Sequence, residues 1–551
     1  MKTLQWALLL SATSLLASPA RAEPQASDPL LAKDEPRKLE GHTKDQIITA
    51  LAFAPDGQLL ASASCDGTVR IWDLRTSQTI HVLKGVGEQA YAVAFSPDGK
   101  LLATAGKAAD IKVWKVGTWE EAATLRGHKE SVACLAFSPD GTLLASGSYD
   151  RAICLWAMPQ GELKHRLTGH TGRVTGLAFS PDGKRLVSGG TGISPDNIAL
   201  SERVREWDAA AGKLLRTLEA RADRVDYSPD GRTLALAQRS HIEVYPYVKG
   251  AKPKGQLRVG DQEWDVYGIV RLVDAASGDE FFQAPSRGGE VRFAPDGRTF
   301  ALGQGLPFHQ QGSIISGGPY ESDYRLSIWE TVSQTELLKF DDEYYSSCLA
   351  FSPSERVIAA GTCYRGAVFI WKPRPIKPVP ALPAQLSKED LTRLWNDLAS
   401  SPRSAFAVTA ALAERPEVAV GLLRERLKPV PEAEGQRISQ LLGQLDSERF
   451  TLREQATQEL RRLGHSVEPA LRRALADGPS AQATTALQGL LRQARKNPGP
   501  EALRDLRAVG VLEHLATPEA VRLLEALAQG SPAFALTQDA RHSLARLRQG
   551  R

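Results

Sequence analysis

One four-strand pattern recurs seven times, and after it apolar residues fall every three or four positions. Together these predict an all-β ring of seven small sheets, a seven-bladed propeller, followed by an all-α helical-repeat domain. A third observation separates the two: a proline-rich stretch lies where the period changes. The expected organisation is a signal peptide (1–22), an N-terminal segment (23–35), the propeller (36–372), a Pro-rich linker (373–386) and the helical domain (387–551).

At the start of the chain, Lys2 precedes an apolar run from Leu4 to Ala17, and Ser18-Pro19-Ala20-Arg21-Ala22 supplies small residues at a cleavage position. The run is shorter than the roughly 20 apolar residues that span a bilayer. This favours cleavage after Ala22 over a retained anchor. The expected location is periplasmic or secreted, with no stable membrane insertion after cleavage.

The repeat is clearest in "SVACLAFSPDGTLLASGSYDRAICLWAMPQGELKHRLTGH". An alternating strand ends at Ser138, and Pro139-Asp140-Gly141 turns the chain into a second strand from Leu143 to Ser148. A turn at Tyr149-Asp150 leads to a third strand carrying Ile153, Leu155 and Trp156, and a fourth runs from Leu163 to Leu167. Period-two alternation between Gly and Asp turns marks short antiparallel strands. In S-P-D-G the proline presets its φ, the aspartate binds local backbone and the glycine accepts positive φ, so the repeated motif is turn chemistry. The opening aromatics are Phe53, Phe95, Phe137, Phe179, Tyr227, Phe293 and Phe351, and the first three steps are 42 residues each. Four strands cannot bury both faces alone, so the sheets are expected to stack around an axis.

Gly41-His42, Gly127-His128, Gly169-His170, Trp72-Asp73 and Trp207-Asp208, with Trp114, Trp156, Trp329 and Trp371 at the equivalent place, resemble a WD40-repeat β-propeller. The resemblance implies a buried hydrogen-bond network of His, a turn Asp and the strand Trp. It would be made of His42, Asp66 and Trp72 in blade one, His128, Asp150 and Trp156 in blade three, and His170 and Trp207 in blade four. These residues are expected to be architectural. The pattern weakens later in the chain, where no Gly-His precedes Tyr227, Phe293 or Phe351.

The last repeat has no fourth strand, and Arg37-Lys38-Leu39-Glu40 reads as a fourth strand with no first three. Pairing the two would close the ring and remove its open edges. The gap from opening aromatic to third-strand tryptophan is 19 residues in blades one to three but 28 in blade four and 36 in blade six. The extra residues, near 191–203, 239–267 and 303–323, are expected between second and third strands. In blade five "HIEVYPY" competes with "VRLVD" for the third strand, and the latter fits the spacing better. All three insertions would share one face with the Gly-His turns. Binding residues concentrate on such loops, and aromatic residues serve as anchors. Tyr245, Tyr247, Trp264, Tyr267, Phe308, His309 and Tyr320 are therefore the candidate partner-binding rim. The alternative is that these rings pack beneath their own loops.

Prolines 373, 375, 378, 380 and 383 form a semi-rigid linker. Beyond it, Ser387 to Asp390 reads as a capping box followed by Leu391, Leu394, Trp395 and Leu398. A second helix is expected from near Asp446, with Leu452, Ala456, Leu460 and Leu463 on one face, and Thr517-Pro518-Glu519 starts another. "LDSERFTLREQATQELRRLGHSVEPALRRALA" resembles a HEAT-type helix pair, and the whole resembles bacterial exported chains that join a WD40 propeller to a HEAT-like domain. Such stacks present surface to other proteins.

The formal charge of +4 calls for no nucleic acid. Cys65, Cys134, Cys154, Cys348 and Cys363 show no C-x-x-C spacing, which supports neither a zinc site nor a disulfide framework. Export would permit a Cys348–Cys363 bridge. Nucleophile, zinc-protease, phosphate-loop and dinucleotide motifs are absent, so no catalytic residue, metal or cofactor is expected. The function expected is a non-catalytic protein–protein interaction scaffold of the cell envelope, binding through propeller rim and helical domain, with partner and oligomeric state unspecified. The alternative is an enzyme or small-ligand binder with a site at the channel mouth, assembled from several blades.

Overall fold

The computed structural model describes residues 36–193, 199–246, 256–259, 262–286, 290–303, 325–341, 346–353, 357–362, 365–371 and 386–548. The expected signal peptide (1–22), the expected N-terminal segment (23–35) and residues 373–385 of the expected linker lie outside these. Seven antiparallel sheets, each a strand meander, follow one another from Arg37 to Trp371. Blade three shows the unit: Val132–Phe137, Leu143–Ser148, Ile153–Ala157 and Glu162–Leu167, paired in that order. Its second strand is buried at every position while its fourth is mostly exposed, so the meander runs from the channel outward. Apolar clusters form between neighbouring blades; one joins Ala103 and Ile111 of blade two to Leu144 and Trp156 of blade three.

The ring closes as a hydrogen-bonded sheet. Arg37–Glu40 pairs with Ala367–Trp371 from Arg37↔Ile370 to Glu40↔Ala367, the outer strand of blade seven. Near the channel, β-bulges turn small hydroxyls toward the next blade. Thr49 Oγ1 donates to the Ala90 carbonyl at 2.7 Å, Thr175 Oγ1 to that of Asp223 at 2.9 Å, and Ser347 Oγ to that of Ile48 across the closure.

Each blade presents two kinds of connection. The S-P-D-G turns and the third-to-fourth turns share one face of the ring, the SPDG face; the second-to-third and interblade connections share the other, the Gly-His face. In blade five the second and third strands are Thr233–Pro246 and Gln262–Asp274, paired from Thr233↔Asp274 to Pro246↔Gln262. "HIEVYPY" thus continues the second strand up to Pro246, and "VRLVD" ends the third. Arg224↔Ala237 is the last pair with the first strand, so Arg239–Pro246 and its partner rise beyond the blade on the Gly-His face. At about 3.3 Å per residue this ribbon is roughly 25 Å long, and Gln256–Val259 adds a third strand to it.

Ten α-helices lie among the described residues after the propeller: α1 Lys388–Asp397, α2 Pro402–Ala413, α3 Pro416–Arg426, α4 Glu432–Gln444, α5 Phe450–Leu463, α6 Glu468–Ala476, α7 Ala481–Lys496, α8 Pro500–Leu515, α9 Pro518–Ala528 and α10 Ala535–Arg548. Ser387 caps α1 through a reciprocal box with Asp390, and Thr517 caps α9 with Pro518 at its first position. The helix expected from near Asp446 begins at Phe450 and buries Ala456 and Leu460. The arrangement departs from a simple HEAT-like stack. Residues of α1, α2, α3, α8, α9 and α10 share one core and residues of α4 to α7 dominate a second, so the chain returns to its first helices where an open stack would bring each pair only against its neighbours.

The helical domain docks on the SPDG face of blades five and six. Arg298, directly after the blade-six turn, donates to the Leu506 carbonyl at 2.9 Å and pairs with Asp539 and Glu513, both at 3.1 Å. Its side chain crosses Gly510 in α8, where an added Cβ would stand 3.1 Å from Nε; that close approach accounts for a glycine inside a helix. Arg507 of α8 holds Glu330 through two bonds of 2.7 and 2.8 Å. Asp274 receives Arg472 at 2.5 Å and Arg495 at 3.2 Å, and Arg495 lies over the Phe281 ring at 4.5 Å.

Candidate functional site

The Gly-His turns are held by a buried polar chain. In blade three Trp156 Nε1 donates to Ser146 Oγ at 2.9 Å, Ser146 Oγ lies 2.8 Å from His128 Nε2, and His128 Nδ1 lies 3.1 Å from Asp150. Blade one repeats it with Trp72, Ser62, His42 and Asp66 at 2.8, 2.7 and 2.9 Å. In blade four Trp207 Nε1 and His170 Nε2 meet at Ser188 Oγ, at 2.8 and 2.7 Å, and Glu202 takes the carboxylate place 2.7 Å from Nδ1. The three serines and Glu202 were not anticipated. A serine falls ten residues before the tryptophan in blades one and three, which is the spacing that could have revealed it. Blade two keeps only the end of the chain, with Trp114 donating to Thr104 Oγ1 at 2.8 Å.

The electrostatics follow from the partners. Burial opposes ionisation of Asp150, but the Lys129 N–H, Arg166 and His128 outweigh it and hold the carboxyl at about 2. Glu202 is likewise buried, and bonds from His170 and Thr171 bring it to about 2. Burial lowers His128 and His170. A carboxylate can only accept, so Nδ1 of a neutral His128 carries the proton and Nε2 accepts from Ser146. This order resembles a nucleophile, base and carboxylate relay, yet Ser62, Ser146 and Ser188 are fully buried and each hydroxyl oxygen already accepts from an indole. The relay fastens each Gly-His turn to its blade and offers no atom to a substrate.

At the channel mouth on the same face, side chains from blades two, three and four form a ladder. Tyr91 sits in the bulge of the first strand of blade two. Its ring stacks on that of Tyr149, at a centroid distance of 6.1 Å and an angle of 23°. The Arg173 guanidinium lies 4.3 Å over the other partner, Tyr149. Gln89 accepts from the Tyr91 hydroxyl, and Tyr149 N–H donates to the Ser131 carbonyl at 2.9 Å. Burial, with Tyr149 beside it, pushes the Tyr91 hydroxyl up to about 12. These residues also escaped the sequence reading, because a strand tyrosine and a turn tyrosine look like ordinary packing until the ring brings them together.

Of the expected rim aromatics, Tyr245, Trp264 and Tyr267 lie on the blade-five ribbon, at Tyr245↔Glu263, Val244↔Trp264 and His241↔Tyr267. Tyr247, Phe308, His309 and Tyr320 lie outside the described residues, as does Cys363; Cys348 is buried with Sγ 3.3 Å from the Ile48 carbonyl. The blade-four insertion folds back as a short strand, Ala199–Ser201, on Thr191 to Ile193. Among the described residues no cluster of three metal-binding side chains is present, and no helix is long and apolar enough to cross a membrane.

Comparison with known proteins agrees with this architecture. The WD domain, G-beta repeat model matches residues 34–73, 77–115, 119–157 and 161–197. The first three matches run from the outer strand of one blade through three strands of the next, the offset that closes the ring, and the fourth ends before the third strand of blade four. The chain is similar to the ribosome biogenesis protein YTM1 of Yarrowia lipolytica, 50% identical over 48 residues, 8% of this chain and 9% of that protein. It is similar to the Notchless protein homolog of Arabidopsis thaliana, 38% identical over 58 residues, 10% and 12% of the two chains. A probable serine/threonine-protein kinase, PkwA of Thermomonospora curvata, is 35% identical over 82 residues, 15% and 10%. This chain thus spans about a tenth of the length of the relatives it matches, and it carries a seven-bladed propeller of WD40 repeats followed by a helical domain.

Proposed function

We propose that the chain is a non-catalytic protein–protein interaction scaffold of the cell envelope, exported by residues 1–22, which binds partners on the Gly-His face of its propeller. The observation that carries this reading is the division of the two faces. The helical domain occupies the SPDG face at blades five and six through Arg298, Arg507, Arg472 and Arg495. The blade-five ribbon and the blade-four hairpin rise on the opposite face, around a mouth lined by Tyr91, Tyr149 and Arg173. The scaffold is rigid where the polar chains lock blades one, three and four, and its longest connections stand on that base. The shared stretches in the relatives are one or two repeats long, so what passes from them is the repeat alone.

The test is a crosslinking pull-down from an envelope extract, comparing the chain with a variant whose connections at 191–203, 239–267 and 303–323 are shortened to tight turns. A partner captured by the first and lost from the folded second supports the reading. Equal capture by both overturns the site.

A further inference from the structure

We propose that Arg173, laid on Tyr149 at the mouth of the channel, receives a carboxylate from an acidic segment of a protein partner, with the Tyr91–Tyr149 stack as its platform. The inference deepens the reading above and rests on it: it names the chemistry that the Gly-His face recognises.

Three observations carry it. First, Arg173 has no carboxylate partner among the described residues, whereas four guanidinium groups of the neighbouring strands do: Arg126 with Asp110 at 3.2 Å, Arg166 with Asp150 at 2.9 Å, Arg205 with Glu202 at 3.4 Å and Arg224 with Glu290 at 2.8 Å. Second, the side chain is exposed yet held. Its guanidinium lies 4.3 Å over Tyr149, itself stacked on Tyr91, and both tyrosines are fixed by hydrogen bonds to blades two and three. A guanidinium resting on a ring face keeps its N–H edges clear of the ring, and a side chain already ordered loses less freedom on binding. Third, the stacked ladder itself holds one cation, Arg173. Lys107, at the place in blade two that Tyr149 takes in blade three, is tied to Glu88. One planar fork of donors matches one carboxylate bidentately.

The position suits a peptide. The ladder crosses from blade two to blade four on one side of the mouth, and the hairpin of blade four begins at Thr191, the residue paired with Arg173. A segment lying across the mouth would meet the tyrosine rings, the guanidinium and then the extended connections.

The experiment is a fluorescence-anisotropy titration of the full chain with a labelled eight-residue oligoglutamate peptide. Saturable binding is expected, weakened about tenfold or more in Arg173→Gln and in Arg173→Lys, which keeps the charge but not the fork. Tyr149→Leu is expected to weaken it in the same direction, and Tyr149→Phe to leave it unchanged. Arg151→Gln removes the same charge from the turn that carries Tyr149 and is expected to change it less than about twofold. No binding by the unaltered chain, or equal losses in Arg173→Gln and Arg151→Gln, would overturn the proposal. In the pull-down, a partner that Arg173→Gln keeps and the shortened variant loses overturns this inference alone; a partner that both keep overturns the wider reading as well.

Discussion

Replacing Ser146 by alanine is expected to destabilise the propeller by more than its size suggests. The hydroxyl accepts from Trp156 Nε1 at 2.9 Å and serves His128 Nε2 at 2.8 Å, and serine, indole and imidazole are all buried. Alanine removes one oxygen and leaves two polar atoms without a partner where water does not reach. At about 1–3 kcal/mol for each buried unsatisfied group, the cost is roughly 2–6 kcal/mol. Blade two supplies the comparison, since Thr104 accepts from Trp114 at 2.8 Å and no histidine follows. Thr104→Val leaves one orphan and is expected to cost about half as much. The assay is urea unfolding of both variants, read as the shift of midpoint at unchanged slope. If Ser146→Ala costs no more than Thr104→Val, the serine is not the junction of the chain and the reasoning fails.

Two further outcomes follow from the same networks. Asp150 and Glu202 are held at about 2, below their unfolded values, so their stabilisation is present above pH 4–5 and is lost as pH falls toward 2. Burial holds His128 and His170 below the ordinary imidazole value of about 6.5, so the unfolded chain takes up protons first and stability also declines below that pH. Urea midpoints measured from pH 7 to 3 should fall throughout, and the gap between Asp150→Asn and the unaltered chain, about 2 kcal/mol at pH 7, should narrow in acid. At the docking surface, Glu330→Ala strands the buried Arg507 and is expected to cost roughly 3–5 kcal/mol; a double-mutant cycle with Arg507→Ala should return a coupling well above the ~0.5 kcal/mol scatter of independent sites.

What the residues revealed depended on whether a local rule applied. Turns of Pro, Asp and Gly with period-two strands announce each blade, and an orphan strand at Arg37–Glu40 beside a last repeat lacking one announces closure. The His, Asp and Trp of the polar chain follow from the resemblance, but its centre does not, because Ser62, Ser146 and Ser188 stand among other small residues of the second strands. Glu202 was hidden for a different reason: it comes from the inserted stretch of blade four and reaches the histidine only after that stretch folds back. The docking of the helical domain left the faintest trace. No local pattern marks Arg298, Arg472, Arg495 or Arg507, and their carboxylate partners lie up to 241 residues away in the chain. Tyr91, Tyr149 and Arg173 likewise belong to three separate repeats, and only the ring's curvature brings them together.

The central claim is that partners bind the Gly-His face while the helical domain occupies the other. Amide hydrogen exchange of the full chain, free and bound to the partner captured in the pull-down, tests it most directly. The account expects added protection at the blade-four and blade-five connections and around Tyr91, Tyr149 and Arg173, with the S-P-D-G turns unchanged. Protection confined to the S-P-D-G turns or to the outer surfaces of the helical domain, with none on the Gly-His face, would contradict it.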